Sequence, residues 1–585
     1  MKLIVRYCKP YALRMLYGFL IKIVGTFADL GLPWVLSFIL DEVVPLGEIR
    51  PVLCWGAFML FLAVAARYCN IFANRKAASV AQDVTRSVRH DLFVKTMRLS
   101  GSQTDALHIP SLVSRMTSDT YNIHQMVGMM QRLGVRAPMI LVGGIIITLT
   151  MEPVLTLVLV ILLPILGFLI FYISKKGIPL YKRVQTAMDS MVRIMRENIS
   201  GIRVIKALSK TGYEKERFRE ENKEMLAREL HAGRVMALSG PIMGLLLNIG
   251  LTLVVVVGAY RVNAGASEPG KIVAFLSYFT MILNAMIMIN RIFMVASKAT
   301  ASANRIEEVL SAPEDLLLIP EEEQTEGKQS RSEETEPVPH IEFRNVSFGY
   351  HAAKGQTEKY CIRNISFSLL HGESLGIIGA TGSGKTTLLN LLMRFYDVTE
   401  GQILIDGTDI RGLSLTELRS RFGVVFQNDV VFADTLRENI AFGRTLEDAQ
   451  ITGAAEHALA ADFIHGKKDG FLHKAAIKGA DLSGGQRQRL LVARALAGAP
   501  EVLLLDDSSS ALDYRTDAEI RKNIREQYAD TTTILVAQRA SSVMQMTHIL
   551  VLEEGECIGY GTHEELMEEC GVYREIAKLQ MGDIE

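Results

Sequence analysis

The feature that most restricts this chain is a series of long apolar runs before about residue 300. Each run is close to the roughly 20 apolar residues that cross a bilayer as a helix. Lipid offers the backbone no hydrogen-bond partners, so such segments are stable there only as helices or in a closed barrel. The runs predict six membrane-spanning helices, near residues 11–40, 52–74, 126–150, 154–173, 241–263 and 272–296.

The connections between these runs differ in length and charge. Three are short and polar or acidic, whereas residues 75–125 and 175–240 form long connections that are rich in lysine and arginine. Basic residues close to membrane ends mark the cytoplasmic side. We therefore expect the N-terminus and the long connections in the cytoplasm, with helices that continue beyond the bilayer. Since no small-residue cleavage site follows the first run, we expect no cleaved signal peptide.

The composition changes after the last apolar run. Residues 313–339 are acidic, bounded by prolines and nearly free of large apolar side chains, so they favour a linker. Beyond them, β-branched runs alternate with amphipathic helical stretches, which is typical of a mostly parallel α/β sheet. The sequence predicts a multidomain chain with an all-α six-helix transmembrane domain at 1–311, an acidic linker at 312–339 and an α/β domain at 340–585.

The six cysteines show no CxxC spacing, so the sequence favours neither a zinc site nor a redox pair. The 49% content of hydrophobic residues is high for a soluble protein and agrees with a membrane domain.

A glycine-rich segment of the α/β domain has the spacing of a phosphate-binding loop. Residues 375–391 read LGIIGATGSGKTTLLNL, so G-x-x-x-x-G-K-T follows an apolar strand and opens a helix. In such loops backbone amides surround phosphate oxygens, the lysine adds positive charge and the threonine hydroxyl can hold magnesium. The segment predicts a site for ATP and Mg²⁺. The loop residues expected to contact them are Gly379, Ala380, Thr381, Gly382, Ser383, Gly384, Lys385, Thr386 and Thr387.

Two adjacent carboxylates end a second aliphatic run, EVLLLDD at residues 501–507. In P-loop ATPases the acid at this position ligates magnesium, which suits Asp506. A base for the attacking water must lie beside it, within about 2.6 to 3.2 Å of that water. Asp507 stands there, but aspartate is one methylene shorter than glutamate and reaches roughly 1.5 Å less far. A misplaced base can cost about 10²- to 10⁴-fold in rate.

The segment LSGGQRQRLLVARAL at residues 482–496 resembles the signature of ABC transporter ATPases, and it lies between the phosphate-binding loop and EVLLLDD. Six membrane helices followed by one such domain are similar to a half-transporter of the ABC exporter type, over essentially the whole chain. The resemblance implies a transport ATPase in the plasma membrane of a bacterium, with its nucleotide-binding domain in the cytoplasm.

The resemblance also implies roles for residues outside the phosphate-binding loop. Tyr350 matches the aromatic residue that stacks on adenine, and Gln427 matches the glutamine that senses magnesium alongside Thr386 and Asp506. Residues 510–513, SALD, match the loop that crosses the dimer interface. The residues that cap the γ-phosphate of a nucleotide held by the opposite subunit correspond to Ser483, Gly484, Gly485 and Gln486.

Three positions depart from the family pattern. Asp507 replaces the usual glutamate, and Gln538, in LVAQR, replaces the usual histidine that contacts the γ-phosphate. Ile477, in AIKG, replaces an acid that links to the partner's membrane domain. Glutamine can donate a hydrogen bond to a phosphate but carries no charge. We therefore expect this site to bind ATP well and to hydrolyse it slowly, with Asp507 and Gln538 as its catalytic residues.

The intact signature could still complete a fully equipped site on a different partner, so a heterodimer with a second half-transporter is favoured. A symmetric dimer in which Asp507 serves adequately as base is the alternative. The expected activity is efflux of hydrophobic drugs, lipids or peptides, without a role for nucleic acid. Import through the same fold, or a regulatory ATP-binding membrane subunit, are further alternatives.

The resemblance implies two coupling elements that transmit closure of the ATPase domains, at residues 114–125 and 197–208. Arg132 and Arg136 lie toward the cytoplasmic end of the third span, and we expect them to extend to the membrane surface. Some polar residues at membrane depth could contact substrate or bond neighbouring helices; they are Asp29, Asn248, Asn284 and Asn290. Methionines in the sixth span could line an adaptable cavity or simply pack; they are Met281, Met286, Met288 and Met294.

Overall fold

The computed structural model describes residues 1–316, 337–350 and 360–581. Most of the predicted linker, residues 317–336, and the side chain of Asn290 lie outside the described residues. The chain divides into two compact units, one of residues 1–98 and 110–312 and the other of residues 99–109 and 313–585.

The helices of the N-terminal part follow one another with short breaks. They are α1 (Lys2–Cys8), α2 (Ala12–Phe38), α3 (Ile49–Met97), α4 (Gly101–Leu107), α5 (Ile109–Ser114), α6 (Thr120–Met151), α7 (Pro153–Ser200), α8 (Ile202–Ala207), α9 (Thr211–Ala237), α10 (Ser239–Asn263) and α11 (Pro269–Leu310).

Within the described residues, six helical stretches are long and apolar enough to cross a membrane, which confirms the predicted number. They run for 42 to 53 residues, roughly twice the length that a bilayer requires. The additional turns carry the basic connections, so the expected continuation of the helices beyond the apolar runs is confirmed. The polar α9, which has a single buried residue, Ala232, forms one of these extensions.

Large apolar side chains fill the centre of the helical unit. Tyr278 and Phe279 of α11 are buried together with Leu159 of α7, and Leu30 of α2 joins the same cluster. The hydroxyl of Tyr278 donates to the backbone carbonyl of Leu30. This bond satisfies a polar group that would otherwise be buried unpaired, so one side chain both packs and fixes α11 against α2.

Polar side chains add specific links between the helices. Near the start of α6, Asp119 is buried and accepts from Ser302 at 2.8 Å and from Arg305 Nε at 2.8 Å. Arg136 donates to Asp29 at 3.0 Å, a partner on α2 that the sequence did not indicate. Because Asp29 offers a carboxylate on the adjacent helix, the guanidinium is stabilised inside the bundle.

The second unit is built on two sheets. Their strands are β1 (Ile341–Phe348), β2 (Ile362–Leu369), β3 (Ser374–Gly379), β4 (Glu400–Ile405), β5 (Thr408–Asp409), β6 (Phe422–Val425), β7 (Val502–Asp506), β8 (Thr532–Val536), β9 (His548–Glu553) and β10 (Glu556–Gly561). Its helices are α12 (Lys385–Leu392), α13 (Leu415–Ser420), α14 (Leu436–Ala441), α15 (Asp448–His457), α16 (Ala461–His465), α17 (Gly484–Leu496), α18 (Tyr514–Gln527), α19 (Ala540–Val543), α20 (His563–Glu569) and α21 (Gly571–Met581).

The larger sheet has the strand order β10-β9-β3-β8-β7-β6 and is parallel from β9 to β6. Successive residues of β7 face two different cores: Leu504 contributes to one apolar cluster, and Leu503 and Leu505 to the other. Both faces of the strand are therefore buried, which explains its continuous aliphatic run.

The smaller sheet, β2-β1-β4-β5, is antiparallel. One of the β-branched runs that follow the linker, GQILIDG at residues 401–407, provides β4 of this antiparallel sheet rather than a parallel strand. Sequence alternation does not distinguish the two, because an apolar run of this length suits either environment.

Helix α4 follows the second membrane helix in sequence but belongs to the second unit. The backbone N–H of Gly101 donates to Phe395 O at 3.1 Å, and the hydroxyl of Tyr396 donates to Asp105 at 2.6 Å. A Cβ at Gly101 would lie 2.7 Å from the Tyr396 ring, so only glycine fits this contact. Residues 114–125, the predicted coupling element, belong to the helical unit, and their coupling role stays a prediction.

His340, at the start of β1, is fully buried in a group with His371 and Asp406. The two imidazole rings stack at 3.7 Å, so their in-plane lone pairs run parallel rather than converging on one ion. Asp406 also accepts from Arg421 at 2.8 Å. We interpret the group as a structural connection, in which His340 Nδ1 bonds the hydroxyl of Thr532 at 2.7 Å.

Burial, with a smaller contribution from His371, lowers the pKa of His340 to about 4, whereas nearby Asp406 opposes the shift and Arg421 adds to it. As the pH falls, the His340 side chain therefore binds a proton near pH 6.5 in the unfolded chain but only near pH 4 in the folded chain. The neutral His340 side chain therefore contributes to the free energy of unfolding above pH 6.5. This contribution is lost as the pH falls toward 4, and the loss is roughly 3 kcal/mol at most.

We predict that His340→Asn, which keeps a partner for Thr532 but does not titrate, reduces this loss. Calorimetry of the full-length protein in detergent at pH 7 and pH 4.5 should show a smaller drop in the melting temperature of the ATPase unit than in the wild type. The same change at the exposed His465 serves as control and should leave the drop unaltered. An equal drop in all three proteins would contradict the assignment.

Candidate functional site

The phosphate-binding loop connects the carboxyl end of β3 to the start of α12. Gly382 and Gly384 have φ of 87° and 100°, a region that favours glycine. At Gly384 a Cβ would also lie 2.6 Å from the side chain of Ile362. The hydroxyl of Ser383 is buried without a hydrogen-bond partner among the described residues. The loop is thus a tight turn with an unused polar atom at the N-terminus of a helix, a place that suits a phosphate.

Lys385 folds over this loop. Its Nζ donates to the carbonyl oxygens of Gly379 and Ala380, both at 2.8 Å. Burial lowers the pKa of Lys385, whereas the neighbouring carboxylates of Asp506 and Asp507 act to raise it. The ammonium group is therefore held where the loop and the two carboxylates meet.

Asp506 connects this loop to β7. The Thr386 hydroxyl donates to Asp506 Oδ2 at 3.0 Å, and Asp506 is buried at the end of the strand. Burial raises the pKa of Asp506, and the hydrogen bond from Thr386 opposes that shift. A hydroxyl and a carboxylate oxygen side by side are donors that Mg²⁺ prefers, so the pair fits the predicted metal.

Asp507 lies beside this pair with a left-handed backbone, φ 49°. Gln538 Nε2 donates to Asp507 Oδ2 at 3.0 Å, and Gln427 lines the same cavity. Burial raises the pKa of Asp507, while Gln427 and, less strongly, Lys385 lower it. The carboxylate is therefore held by the amide of Gln538.

Tyr350 closes the other end of the site. Its ring meets those of Phe348 and Tyr396 edge-on, at 5.0 and 5.2 Å, and its hydroxyl lies 3.3 Å from that of Thr387. The ring is partly exposed and fixed on its edges, which leaves a face for a planar ligand.

These elements enclose a cavity of about 330 Å³. The sequence-predicted residues that line it are Tyr350, Thr381, Gly382, Gly384, Lys385, Thr386, Thr387, Gln427, Asp506, Asp507 and Gln538. Sequence reasoning missed Cys361 and Val536, which also line it. Cys361 directly precedes β2 on the other sheet, and no motif indicates that this strand reaches the loop.

The signature residues are absent from the lining of this cavity within the described part of the chain. Ser483 instead caps α17: its hydroxyl accepts from Gln486 N at 3.2 Å, and Gln486 Oε1 accepts from Ser483 N at 3.0 Å. Ser483 and Gly484 are exposed. The helix N-terminus with its positive dipole end is thus presented away from the chain's own loop.

The chain matches two family models, that of the ABC transporter transmembrane region over residues 15–286 and that of the ABC transporter over residues 362–510. The solved structure of a bacterial Atm1-family ABC exporter with ATP bound has a TM-score of 0.80 and 24% sequence identity with this chain, and the match covers 98% of this chain and 99% of that one.

Curated relatives extend over the whole length. The uncharacterized ABC transporter ATP-binding protein YfiB of Bacillus subtilis (strain 168) is 33% identical over 579 residues, with 98% of each chain covered. The ATP-dependent lipid A-core flippase of Syntrophus aciditrophicus (strain SB) is 29% identical over 584 residues, covering 100% of this chain and 94% of the flippase.

We predict that Tyr350→Leu weakens ATP binding about tenfold, because stacking of a base on an aromatic ring contributes roughly 1 to 3 kcal/mol. Tyr350→Phe keeps the ring and loses only the contact with Thr387, so it should bind within about threefold of the wild type. Titration of the full-length protein with a fluorescent ATP analogue measures both. Equal losses in the two variants would argue against stacking.

Proposed function

Because the chain belongs to the ABC transporter family, as an exporter with fused transmembrane and ATPase domains, we propose that it is one half of a heterodimeric exporter. Its own site holds ATP and turns it over slowly, and its signature completes the faster site of a different half-transporter. The N-terminus and the ATPase domain lie in the cytoplasm of a bacterium.

The observation that carries this proposal is the pairing of Asp507 with Gln538. The shorter carboxylate reaches less far toward an attacking water, and the amide of Gln538 holds it. Gln538 is uncharged, so it cannot stabilise developing negative charge as a histidine cation would. Both changes lower hydrolysis, while the parts that bind nucleotide are complete: the loop, Lys385 and the Thr386–Asp506 pair.

Thr386 and Asp506 would hold Mg²⁺, and Gln427 lines the same cavity. The ion would neutralise phosphate charge there. The remaining roles belong to the chain: Lys385 and the loop amides bind phosphate, and Tyr350 holds the base.

The intact signature supports an unlike partner. The capped, exposed N-terminus of α17 keeps two glycines and a serine where a γ-phosphate of another subunit could approach. In a homodimer both sites would carry the weak base, whereas in a heterodimer this helix serves a fully equipped site. Hydrophobic drugs, lipids or peptides are the expected cargo. The full-length likeness to a lipid flippase favours lipid-like molecules among these.

We predict an unequal response to two substitutions in the complex with its partner half-transporter. Gly484→Asp places a negative charge against the γ-phosphate of the partner's site and should abolish ATPase activity, by about 100-fold or more. Lys385→Met damages only the slow site and should leave a substantial fraction, about a third or more. Steady-state ATP hydrolysis measures both, and the chain purified alone should hydrolyse at least tenfold more slowly than the complex. Equal losses from the two variants, or brisk hydrolysis by the chain alone, would refute the heterodimer.

We further predict that Asp507→Glu raises hydrolysis by the complex only about two- to threefold, because Gln538 remains. Asp507→Glu combined with Gln538→His restores both functions and should raise it more, by tenfold or above in the slow site. Single-turnover hydrolysis with the partner's site inactivated isolates this site. A full gain from Asp507→Glu alone would show that Gln538 contributes nothing to the slow rate.

A further inference from the structure

A group of polar side chains lies between α2, α3 and α6 of the membrane domain, and we call it the cation cluster. Lys22 and Asp29 come from α2, Asn70 from α3, and Arg132 and Arg136 from α6. Within this described group three side chains are cations and one is an anion, which gives an excess of two positive charges. Ionisable groups within membrane-spanning segments are rare and often mark a functional site.

The hydrogen bonds of the cluster do not cancel this excess. Arg136 Nη2 donates to Asp29 Oδ2 at 3.0 Å, which uses the cluster's one carboxylate. Lys22 Nζ donates to the neutral amide oxygen of Asn74 at 3.0 Å. Arg132 donates to a backbone carbonyl of its own helix. Neutral acceptors satisfy the donors but leave the charges of Lys22 and Arg132 uncompensated.

Two members of the cluster, Lys22 and Asn70, are buried, whereas Arg132 is exposed, and the cluster is incompletely bonded. Lys22 is only 2% exposed, and Asp29, Arg132 and Arg136 are all near enough to act on it electrostatically. Arg136 Nε and Asn70 Oδ1 are buried without a hydrogen-bond partner among the described residues, and Asn70 is 7% exposed. A purely structural network would be expected to satisfy such groups. The unused donor and acceptor point to a further polar group.

The depth of the cluster follows from helix geometry. At 1.5 Å per residue, Arg136 lies about 22 Å from the end of α6 at Met151, and Asn70 about 31 Å from the start of α3 at Ile49. Both of those ends lie on the side that the proposed orientation places outside. In a hydrocarbon layer of about 30 Å, the cluster is near its cytoplasmic boundary, where the headgroups of inner-leaflet amphiphiles lie.

Apolar side chains continue from the cluster. Ala137, next to Arg136, packs with Ile140 against α11, where Met281 and Met288 line the contact. A separate apolar cavity of about 150 Å³ between α7, α10 and α11 includes Met243 and Met286. Flexible thioethers adapt to chains of different shape. A charged end and an apolar body would therefore both find partners here.

We propose that the cation cluster binds the anionic, phosphate-like headgroup of an amphiphilic cargo whose apolar part lies against the methionine-lined face of α11. The inference rests on the proposed transport function and narrows its cargo to anionic amphiphiles. Excess positive charge attracts the headgroup, and Arg136 Nε and Asn70 Oδ1 bond its oxygens and hydroxyl hydrogens.

Binding should follow the charge of the cluster rather than its contacts. The test uses the full-length protein in dodecyl maltoside, with dodecyl phosphate as probe and dodecyltrimethylammonium as the same chain with opposite charge. Isothermal titration calorimetry reports the binding of each probe. Dodecyl phosphate should bind at least tenfold more tightly than the ammonium probe.

Paired substitutions separate a charge effect from damage to the fold. Lys22→Gln keeps a donor for Asn74 and should weaken binding of dodecyl phosphate at least fivefold, whereas Asp29→Asn should strengthen it about threefold. The double variant restores the original excess and should return near the wild-type affinity. Arg219→Gln, on the exposed surface of α9, is the matched control and should change nothing. Weaker binding in both single variants, no change in either, or equal binding of the two probes would overturn the proposal.

The source of the headgroup is a separate question that the same variants answer. Native mass spectrometry after reconstitution in phosphatidylglycerol or phosphatidylcholine nanodiscs counts retained lipids. Selective retention of phosphatidylglycerol that is lost in Lys22→Gln assigns the site to a membrane phospholipid. Retention that is unchanged, with dodecyl phosphate binding still dependent on Lys22, assigns it to a single-chain amphiphile. Neither measurement requires ATP or a partner, so a failure here and a failure of the heterodimer proposal are distinguishable.

Discussion

The hydrogen bond between Thr386 and Asp506 is the contact on which the nucleotide site depends. It joins the loop after β3 to the end of β7, and β8 separates these strands in the sheet. The carboxyl ends of parallel strands lie at the same edge of a sheet, so the loop after β3 and the end of β7 lie close together. Asp506 is 2% exposed, and burial disfavours its charged form. The hydroxyl and the nearby ammonium of Lys385 counter that cost and keep a carboxylate available for a metal.

Contiguous motifs explain why so much of this site could be predicted. The phosphate-binding loop, EVLLLDD and the signature each carry their geometry within a few residues, and the structure brings the first two into one cavity. Cys361 and the antiparallel β4 could not be predicted, since they depend on how distant strands pair. The contact of α4 with Tyr396 was missed for the same reason: it depends on a close approach at Gly101 that nothing nearby in sequence indicates.

In the membrane domain, too, some features could be predicted from the sequence and others could not. Six apolar runs predicted six helices, because length and hydropathy alone decide what can cross lipid. The bonding partner of Arg136 depends instead on which face of α6 packs against α2, and the sequence of a largely apolar helix does not indicate that face. Long cationic side chains near a membrane end usually extend to water. Here the carboxylate of Asp29 offers Arg136 a charged partner, whereas Lys22 and Arg132 bond neutral acceptors.

The two proposals fit one energetic scheme. An anionic headgroup held by an excess of positive charge in a low-dielectric site leaves slowly unless closure of the ATPase domains rearranges that site. Shifting a two-state equilibrium from 1:99 to 99:1 requires about 5.5 kcal/mol of differential binding. In this scheme, a nucleotide kept at the proposed slow site by Lys385 and the phosphate-binding loop would supply part of that difference continuously, without being consumed in each cycle. Hydrolysis at the partner's site then needs to reverse only the remainder. A weak base at Asp507 is, in this scheme, compatible with strong transport, because the site contributes through binding rather than through cleavage.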